Sequence, residues 1–384
     1  MNTRKPFIVI QRSIDEAVNE LPVVRLFDRP VAPIDLFVGA AGFEERVLAI
    51  PKQLLAQGAQ ISGASLIGRY KTNVEDNGKR ETELIPILQR LAAPVEFFDA
   101  DSPESTNCAI RSVLGALSNG KKRLHVAFDI SGASSTLIFS VLGSLLRDQR
   151  PFSLTIFYST AKTYYEPSSG RETPVLKWAP EDMRESGVAE VEANELYPGI
   201  HHDHLPVFVI ALPSMFTSRM QRCLSYLGVG PLGGGDRCVH WILPNTTEQE
   251  HRWRQDKVLQ AAMALVRSGT EESDQTSLAE ESFSYCDVFN YVECVRKVMK
   301  QIDAKAGSNI SVVHMGTKLQ GVGVALALAA RSEVAIVSAR PEWFDAASYS
   351  QGVGEVFCLE FTHPHEIVKG IAQVGTLTVQ STAT

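Results

Sequence analysis

Two stretches of the chain, 124–142 and 310–328, repeat one device: an apolar strand breaks into a small-residue turn and re-enters as an apolar helix. The first copy reads LHVAFDI, breaks at Ser131-Gly132 and continues as SSTLIFSVLGSLL. The second reads ISVVHM, breaks at Gly316-Thr317-Lys318 and continues as LQGVGVALALAA. A strand that is apolar on both faces needs cover on both, and helices that follow such strands supply it. The device therefore points to a mainly parallel sheet between helical layers. It also prepares an anion site, because free backbone N–H groups and the positive end of the helix dipole meet where strand hands over to helix. Two such turns in one polypeptide suggest one ligand held by two related halves.

The rest of the chain extends this pattern. Apolar runs at Ile34–Gly39, Ile61–Arg69, Val95–Phe98, Leu124–Ile130 and Phe152–Tyr158 read as strands, with helical patterns at Phe43–Gln57, Lys79–Ala92, Ser105–Leu117 and Ser134–Arg147 between them. After a polar, Pro- and Gly-containing stretch the pattern restarts. Val207–Leu212, Cys238–Leu243, Asn309–His314 and Glu333–Ser338 read as strands; Ser214–Leu227, Phe283–Ala304 and Leu319–Ala330 read as helices. Phe37 lies 171 residues before Phe208, whereas Gly132 lies 184 before Gly316. A duplication with a modest insertion at Thr246–Ser282 accounts for that drift. The expected fold is α/β, with two tandem Rossmann-like, doubly wound, mainly parallel domains related by internal duplication. Their bounds are 1–166 and 207–374, with a linker at 167–206 that holds the acidic run Glu190–Glu195, and a polar, frayed tail at 375–384.

Bulk properties narrow the function. A length of 384 residues suits two domains, and 44% hydrophobic with 21% charged residues is ordinary for a soluble globular chain. A net charge of −7 argues against an extended DNA or RNA surface but leaves room for a small anion in a local basic pocket. Six cysteines without a C-x-x-C pair read as reduced thiols. The apolar run Phe7–Ile10 is too short for a secretory segment. Gly321–Ala330 falls well below the roughly 20 residues of a membrane span. A cytoplasmic protein with no membrane association is expected.

Several residues are candidates for chemistry. At Gly316-Thr317-Lys318 the glycine lets backbone approach a ligand, the threonine donates and the lysine brings a point charge. The G-x-x-x-x-G-K-[ST] spacing of a phosphate-binding loop is absent. The first turn offers Asp129, Ser131, Gly132, Ser134 and Ser135. Asp129 ends a buried strand, where a carboxylate is costly unless bonded or used, either as a helix cap or toward a ligand ribose. In doubly wound sheets ligands sit outside the carboxyl ends of strands. That rule adds Gly39 and Ala40, with Ser214 and Met215 in the second half, and the strand-end residues Arg69, Thr160, Lys162 and Arg340. Glu44, Glu45, Arg46 and Arg219 read, each taken singly, as solvated first-turn charges. His201-His202-Asp203-His204 lacks helical ligand spacing, so no metal is expected, and no cofactor is implied.

VVHMGTKLQGVG resembles the strand–turn–helix of CARF domains, Rossmann-like sensors of cyclic oligoadenylates in prokaryotic antiviral defence; FDISGASSTLI resembles it loosely. Two such units in one chain also resemble the SAVED sensor architecture. The resemblance covers both halves, although only the 315–318 turn is specific: Met315 stands where the family has a second glycine, and the first turn has no lysine. It implies that Gly316, Thr317 and Lys318 bind phosphate, with Gly132, Ser134 and Ser135 as their counterpart. The implied function is sensing of a nucleotide-type ligand, a cyclic oligonucleotide or similar, alongside a partner effector or as a homo-oligomer. A binding module is favoured over an enzyme. The alternatives are a metal-independent ring nuclease or other nucleotide-processing enzyme using Lys318, and a non-catalytic scaffold subunit of a defence complex.

Overall fold

The computed structural model describes residues 7–10, 13–91, 94–117, 123–178, 182–230, 236–267, 282–347, 349–374 and 378–381. The first half supplies strands β1 (Ile34–Ala40), β2 (Ile61–Arg69), β3 (Val95–Asp99), β4 (Leu124–Asp129) and β5 (Phe152–Ser159), followed by β6 (Glu190–Pro198). The second supplies β7 (Val207–Leu212), β8 (Arg237–Asn245), β9 (Phe283–Asp287), β10 (Asn309–His314) and β11 (Ala335–Arg340), followed by β12 (Val356–Phe361). Within the first sheet the parallel strands run β3-β2-β1-β4-β5; within the second they run β9-β8-β7-β10-β11. The two halves thus share one doubly wound strand order, as expected of Rossmann-like α/β units.

The trailing strands cross over. β6 joins the second sheet, antiparallel to β11, with Glu190 opposite Arg340. β12 joins the first sheet, antiparallel to β5, with Leu359 opposite Ile156. Each half therefore adds an antiparallel strand to the other's sheet, and in the first sheet Arg25–Leu26 pairs on the far side of β12. The stretch 167–206, expected as a linker, carries a strand of the second sheet, and 356–361, expected inside the second domain, belongs to the first. Sequence order hides such an exchange because either edge satisfies the backbone of an amphipathic strand equally well.

After a one-turn helix at Ile14–Val18, the longer helices are α1 (Ala49–Ala56), entered through a 3-10 turn at Glu45–Leu48, α2 (Val74–Leu91), α3 (Pro103–Leu117), α4 (Ser135–Arg147), α5 (Ser218–Tyr226), α6 (Arg252–Arg267), α7 (Tyr291–Ala304), α8 (Lys318–Ala330) and α9 (Pro364–Ala372). One expectation is corrected here. Phe283–Ala304 is not a single helix: FSYCD alternates as an edge strand on β8, and Asn290 then caps α7 by accepting from Glu293 N. The connection from 246 to 282, where the insertion was expected, holds α6, and 268–281 lies outside the described residues. Thr378–Ser381, in the tail expected to fray, pairs with Phe7–Ile10.

α4 and α8 pack against each other at the centre of the molecule, with Leu137–Leu146 and Leu319–Leu328 buried throughout. A helix apolar on all sides belongs in such a place. At Gly321 a Cβ would meet Ile138 of α4 at an ordinary 3.7 Å but press on the His314 ring at 3.3 Å. One core runs through both halves, joining Leu36, Phe128 and Phe139 to Ile210, Val312 and Leu326. Each such side chain contributes about 1.5–3 kcal/mol by burial, so the halves are fused rather than tethered. No helix among the described residues is long and apolar enough to cross a membrane.

Candidate ligand cavity between the two turns

Both strand–helix turns are tightly capped. Ser134 Oγ accepts from Leu137 N at the start of α4. At the start of α8, Thr317 Oγ1 accepts from Gln320 N while Gln320 Oε1 accepts from Thr317 N, a reciprocal capping box. The first residue of each helix then reaches into the opposite half. Lys318 Nζ donates to Ala133 O at 2.5 Å, and Ser135 Oγ shares a hydrogen bond with His314 Nδ1 at 3.0 Å. The turns face each other across a cavity of about 480 Å³, walled by residues of both halves. That volume falls within the usual range of small-molecule sites.

Tyr70 holds the first turn from behind, donating to Gly132 O at 3.0 Å and accepting from Ser134 N at 2.8 Å. Gly132 sits against the loop after β1; a Cβ on it would lie 2.5 Å from Val47 Cγ1. That loop brings in Glu44 and Arg46. Arg46 is only 4% exposed; it donates Nη2 to Glu44 Oε2 at 2.7 Å and Nη1 to Ser159 O at 3.3 Å, while its Nε finds no partner among the described residues. From the second half, Arg219 makes a two-pronged pair with Glu185, Nε to Oε1 at 2.8 Å and Nη2 to Oε2 at 2.6 Å. Arg254 lies over the Tyr164 ring at 4.4 Å.

Titration in this cluster follows from burial. Burial, reinforced by Arg46, pushes Lys318 down to about 8 against the pull of Glu44 and Asp129. It pushes Asp129 up to about 7 despite hydrogen bonds from Ser131 and the nearby Lys318 and Arg46. His314 is driven down to about 4, so its imidazole is neutral at pH 7. For Glu44, burial is outweighed by Arg46 and Lys318, which keep its carboxyl below the usual range. A lysine near its titration point, two helix N-termini and a buried arginine supply local anion-binding groups, set in a wall that also carries the carboxylates of Glu44, Asp101, Glu185, Glu190 and Glu248.

Ten of the residues expected at the site line the cavity: Gly132, Ser134, Ser135, Thr160, Ser214, Met215, Gly316, Thr317, Lys318 and Arg340. Arg340 is already engaged, donating to Glu190 at 3.2 Å. The other six do not line it. Gly39 and Ala40 lie inside β1, with the wall formed instead by Gly42–Glu44 and Arg46 just beyond. Asp129 and Ser131 brace the turn from within, Asp129 accepting from Ser131 N and Ser131 Oγ from Ser159 N, both at 2.8 Å. Arg69 turns outward to Glu81 and stacks on Phe97 at 3.6 Å, because alternation along β2 aims it away from its neighbour Tyr70. Lys162 is exposed in an outer groove beside Glu45 and Lys79.

Glu44, Arg46 and Arg219, read as solvated first-turn charges, are instead largely buried, and this is a correction; Glu45 is exposed as read. Their signal was positional: both arginines follow the first strand of their half by a similar interval. His201–His204 lies in an exposed loop, and no cluster of metal-binding side chains occurs among the described residues.

No family model and no curated protein matches the chain. Among solved structures it is similar to a Type III CRISPR defence DNA nuclease activated by cyclic oligoadenylate, with a TM-score of 0.43 and 10% identity over 78% of this chain; the match spans 64% of that nuclease's length. It is also similar to the cytoplasmic domain of a prokaryotic cation chloride cotransporter, with a TM-score of 0.22 and 8% identity, covering 82% of this chain and 96% of that one.

Proposed function

We propose that this protein is a sensor of a phosphate-bearing, nucleotide-type ligand, bound in the cavity between two duplicated CARF-like halves. The observation that carries the reading is the meeting of the two turns. Lys318, on the second, donates to Ala133 on the first, and both helix N-termini with Arg46 share one cavity. Aromatic side chains in the same wall, Tyr158, Tyr164, Phe289 and Tyr349, offer surfaces on which bases stack. The unequal turns, lysine on one and serine on the other, favour a ligand with unequal phosphate positions over a strictly two-fold ring. Membership in a defence system, together with a partner effector, follows from the resemblance of the 315–318 turn.

The test is isothermal titration of the whole chain against cyclic and linear oligonucleotides, with Lys318→Ala alongside. Binding by the wild type that the variant weakens by about tenfold or more supports the reading. The absence of heat with every oligonucleotide contradicts it, as does binding indifferent to Lys318.

A second reading, cleavage of the bound ligand, draws on one observation. Lys318 Nζ, donating to Ala133 O of the opposite turn in the cavity wall, is placed to stabilise negative charge developing on a phosphoryl group bound there. Product formation on incubation, abolished in Lys318→Ala, would establish it, and intact ligand after prolonged incubation would exclude it.

A further inference from the structure

Past β5 and past β11 the two halves send out segments that meet as short antiparallel ribbons. Thr163–Tyr164 pairs with Ser350–Gln351, and Glu185–Ser186 pairs with Trp343–Phe344. Each ribbon takes one strand from each half. Together they form a wall of the cavity, to which Tyr164, Glu185, Phe344 and Tyr349 contribute. The wall is fastened to the rims by side chains. Asn73 brackets Phe344, donating to its carbonyl at 2.8 Å and accepting from its N–H at 3.1 Å. Ser350 Oγ donates to Glu44 Oε1 at 2.5 Å, and Glu185, itself in a ribbon, is held by Arg219.

Two of these fastenings run through the cavity's own arginines. Glu44 connects Ser350 of one ribbon to Arg46; Glu185 connects the other ribbon to Arg219. Tyr349, between the ribbon strands, lies within electrostatic reach of both carboxylates. Arg46, 4% exposed, lines the cavity, and its buried Nε has no hydrogen-bond partner among the described residues.

We infer that Arg46 and Arg219 are a matched pair of ligand-phosphate contacts kept on standby by Glu44 and Glu185, and that an anion entering the cavity displaces these carboxylates and releases the ribbon wall. The inference rests on the reading that the cavity takes a phosphate-bearing ligand, and adds how occupancy is transmitted outward. A phosphate offers more acceptor oxygens than a carboxylate and matches the guanidinium fork, so exchange at the arginines is favoured. Once Arg219 is taken, Glu185 is left buried without its cation. An unpaired buried carboxylate is strongly disfavoured, so it moves toward water and carries 185–186 with it. Glu44 loses Arg46 in the same exchange, and its unpaired carboxylate moves toward water together with the Ser350 hydroxyl it holds, shifting 350–351 in the same sense. Binding is thereby converted into exposure of a surface built from the ribbon strands 163–164, 185–186, 343–344 and 350–351, where a partner is able to read it.

Hydrogen–deuterium exchange on the full chain tests this, with inorganic tripolyphosphate as probe and its binding followed by titration. Amides at 163–164, 185–186, 343–344 and 350–351 are expected to exchange about tenfold faster or more with the probe bound, the size of losing one charge-assisted hydrogen bond. Glu185→Gln is expected to loosen the same amides without probe. Because that change leaves Arg219 unpaired and risks the fold, a second variant, Glu185→Leu with Arg219→Met, replaces the pair by apolar groups. It is expected to stay folded and to lose the probe response at 185–186 and 343–344. If tripolyphosphate binds in a Lys318-dependent way while ribbon exchange is unchanged, the latch is overturned and the cavity reading stands. If the double variant responds as the wild type does, the latch is likewise overturned. If tripolyphosphate gives no heat at all, both fall.

Discussion

Replacing Asp129 by Asn should stabilise the free protein, increasingly so as pH rises. Asp129 is 4% exposed, and its carboxylate accepts from Ser131 N at 2.8 Å, a bond that an amide oxygen can also accept. Burial raises its folded-state value to about 7 from 3.8. A group whose folded value is raised favours the native state at low pH and loses that contribution as pH climbs through the folded value. Below pH 4 the carboxyl is neutral in both states and Asn differs little from Asp. Above pH 7 the wild type must bury an ion, and the gap between 3.8 and about 7 corresponds to at most about 4 kcal/mol. Urea unfolding of wild type and Asp129→Asn at pH 4, 6 and 8, followed by far-ultraviolet circular dichroism, reads the effect as a midpoint difference that grows with pH. The reasoning is refuted if Asp129→Asn is the less stable protein at pH 8. The ionised carboxylate would then be held by Lys318 and Arg46 more strongly than burial penalises it.

Other expectations follow from the same cluster. Lys318 has a folded value lowered to about 8 from 10.5, so its charged form costs stability below pH 8, and that cost disappears between pH 8 and 10.5. Lys318→Met should therefore raise the thermal midpoint of the free protein at pH 7 while weakening anion binding; a lower midpoint contradicts this. Anion affinity in the wild type should fall as pH rises past 8, with proton uptake on binding, seen as a dependence of binding heat on the buffer's ionisation enthalpy. Gly132→Ala places a methyl 2.5 Å from Val47 Cγ1 and should cost about 1–3 kcal/mol, measured by chemical denaturation. Tyr70→Phe leaves Gly132 O and Ser134 N without their partner and should cost about 1–3 kcal/mol by the same measurement.

The central parallel strands β1, β4, β7 and β10 were legible because each is a short apolar run with no exposed position. The convergence of the two turns was legible as well, since equivalent points of two doubly wound units meet a ligand at the same sheet ends. What escaped depended on contacts between distant segments. Glu44, Arg46 and Arg219 look solvated in the sequence; their burial is produced by ribbons that join 163–164 to 350–351 and 185–186 to 343–344. Nothing local in Thr163-Tyr164 announces that partner. The crossing of β6 and β12 is invisible for the same reason. At Arg69-Tyr70-Lys71 the position was right and the residue wrong: Tyr70 faces the turn, while Arg69 faces solvent beside Glu81. β9 was lost to a neighbouring helix because five alternating residues are too few to overrule the helical pattern that follows.

The most direct measurement of the central claim is a crystal or cryo-electron microscopy map of the protein with an oligonucleotide bound. Phosphate density between Lys318 Nζ and the start of α4, in contact with both turns, is the predicted result. Ligand density on an outer face, with Lys318 still donating to Ala133 O, would contradict the account.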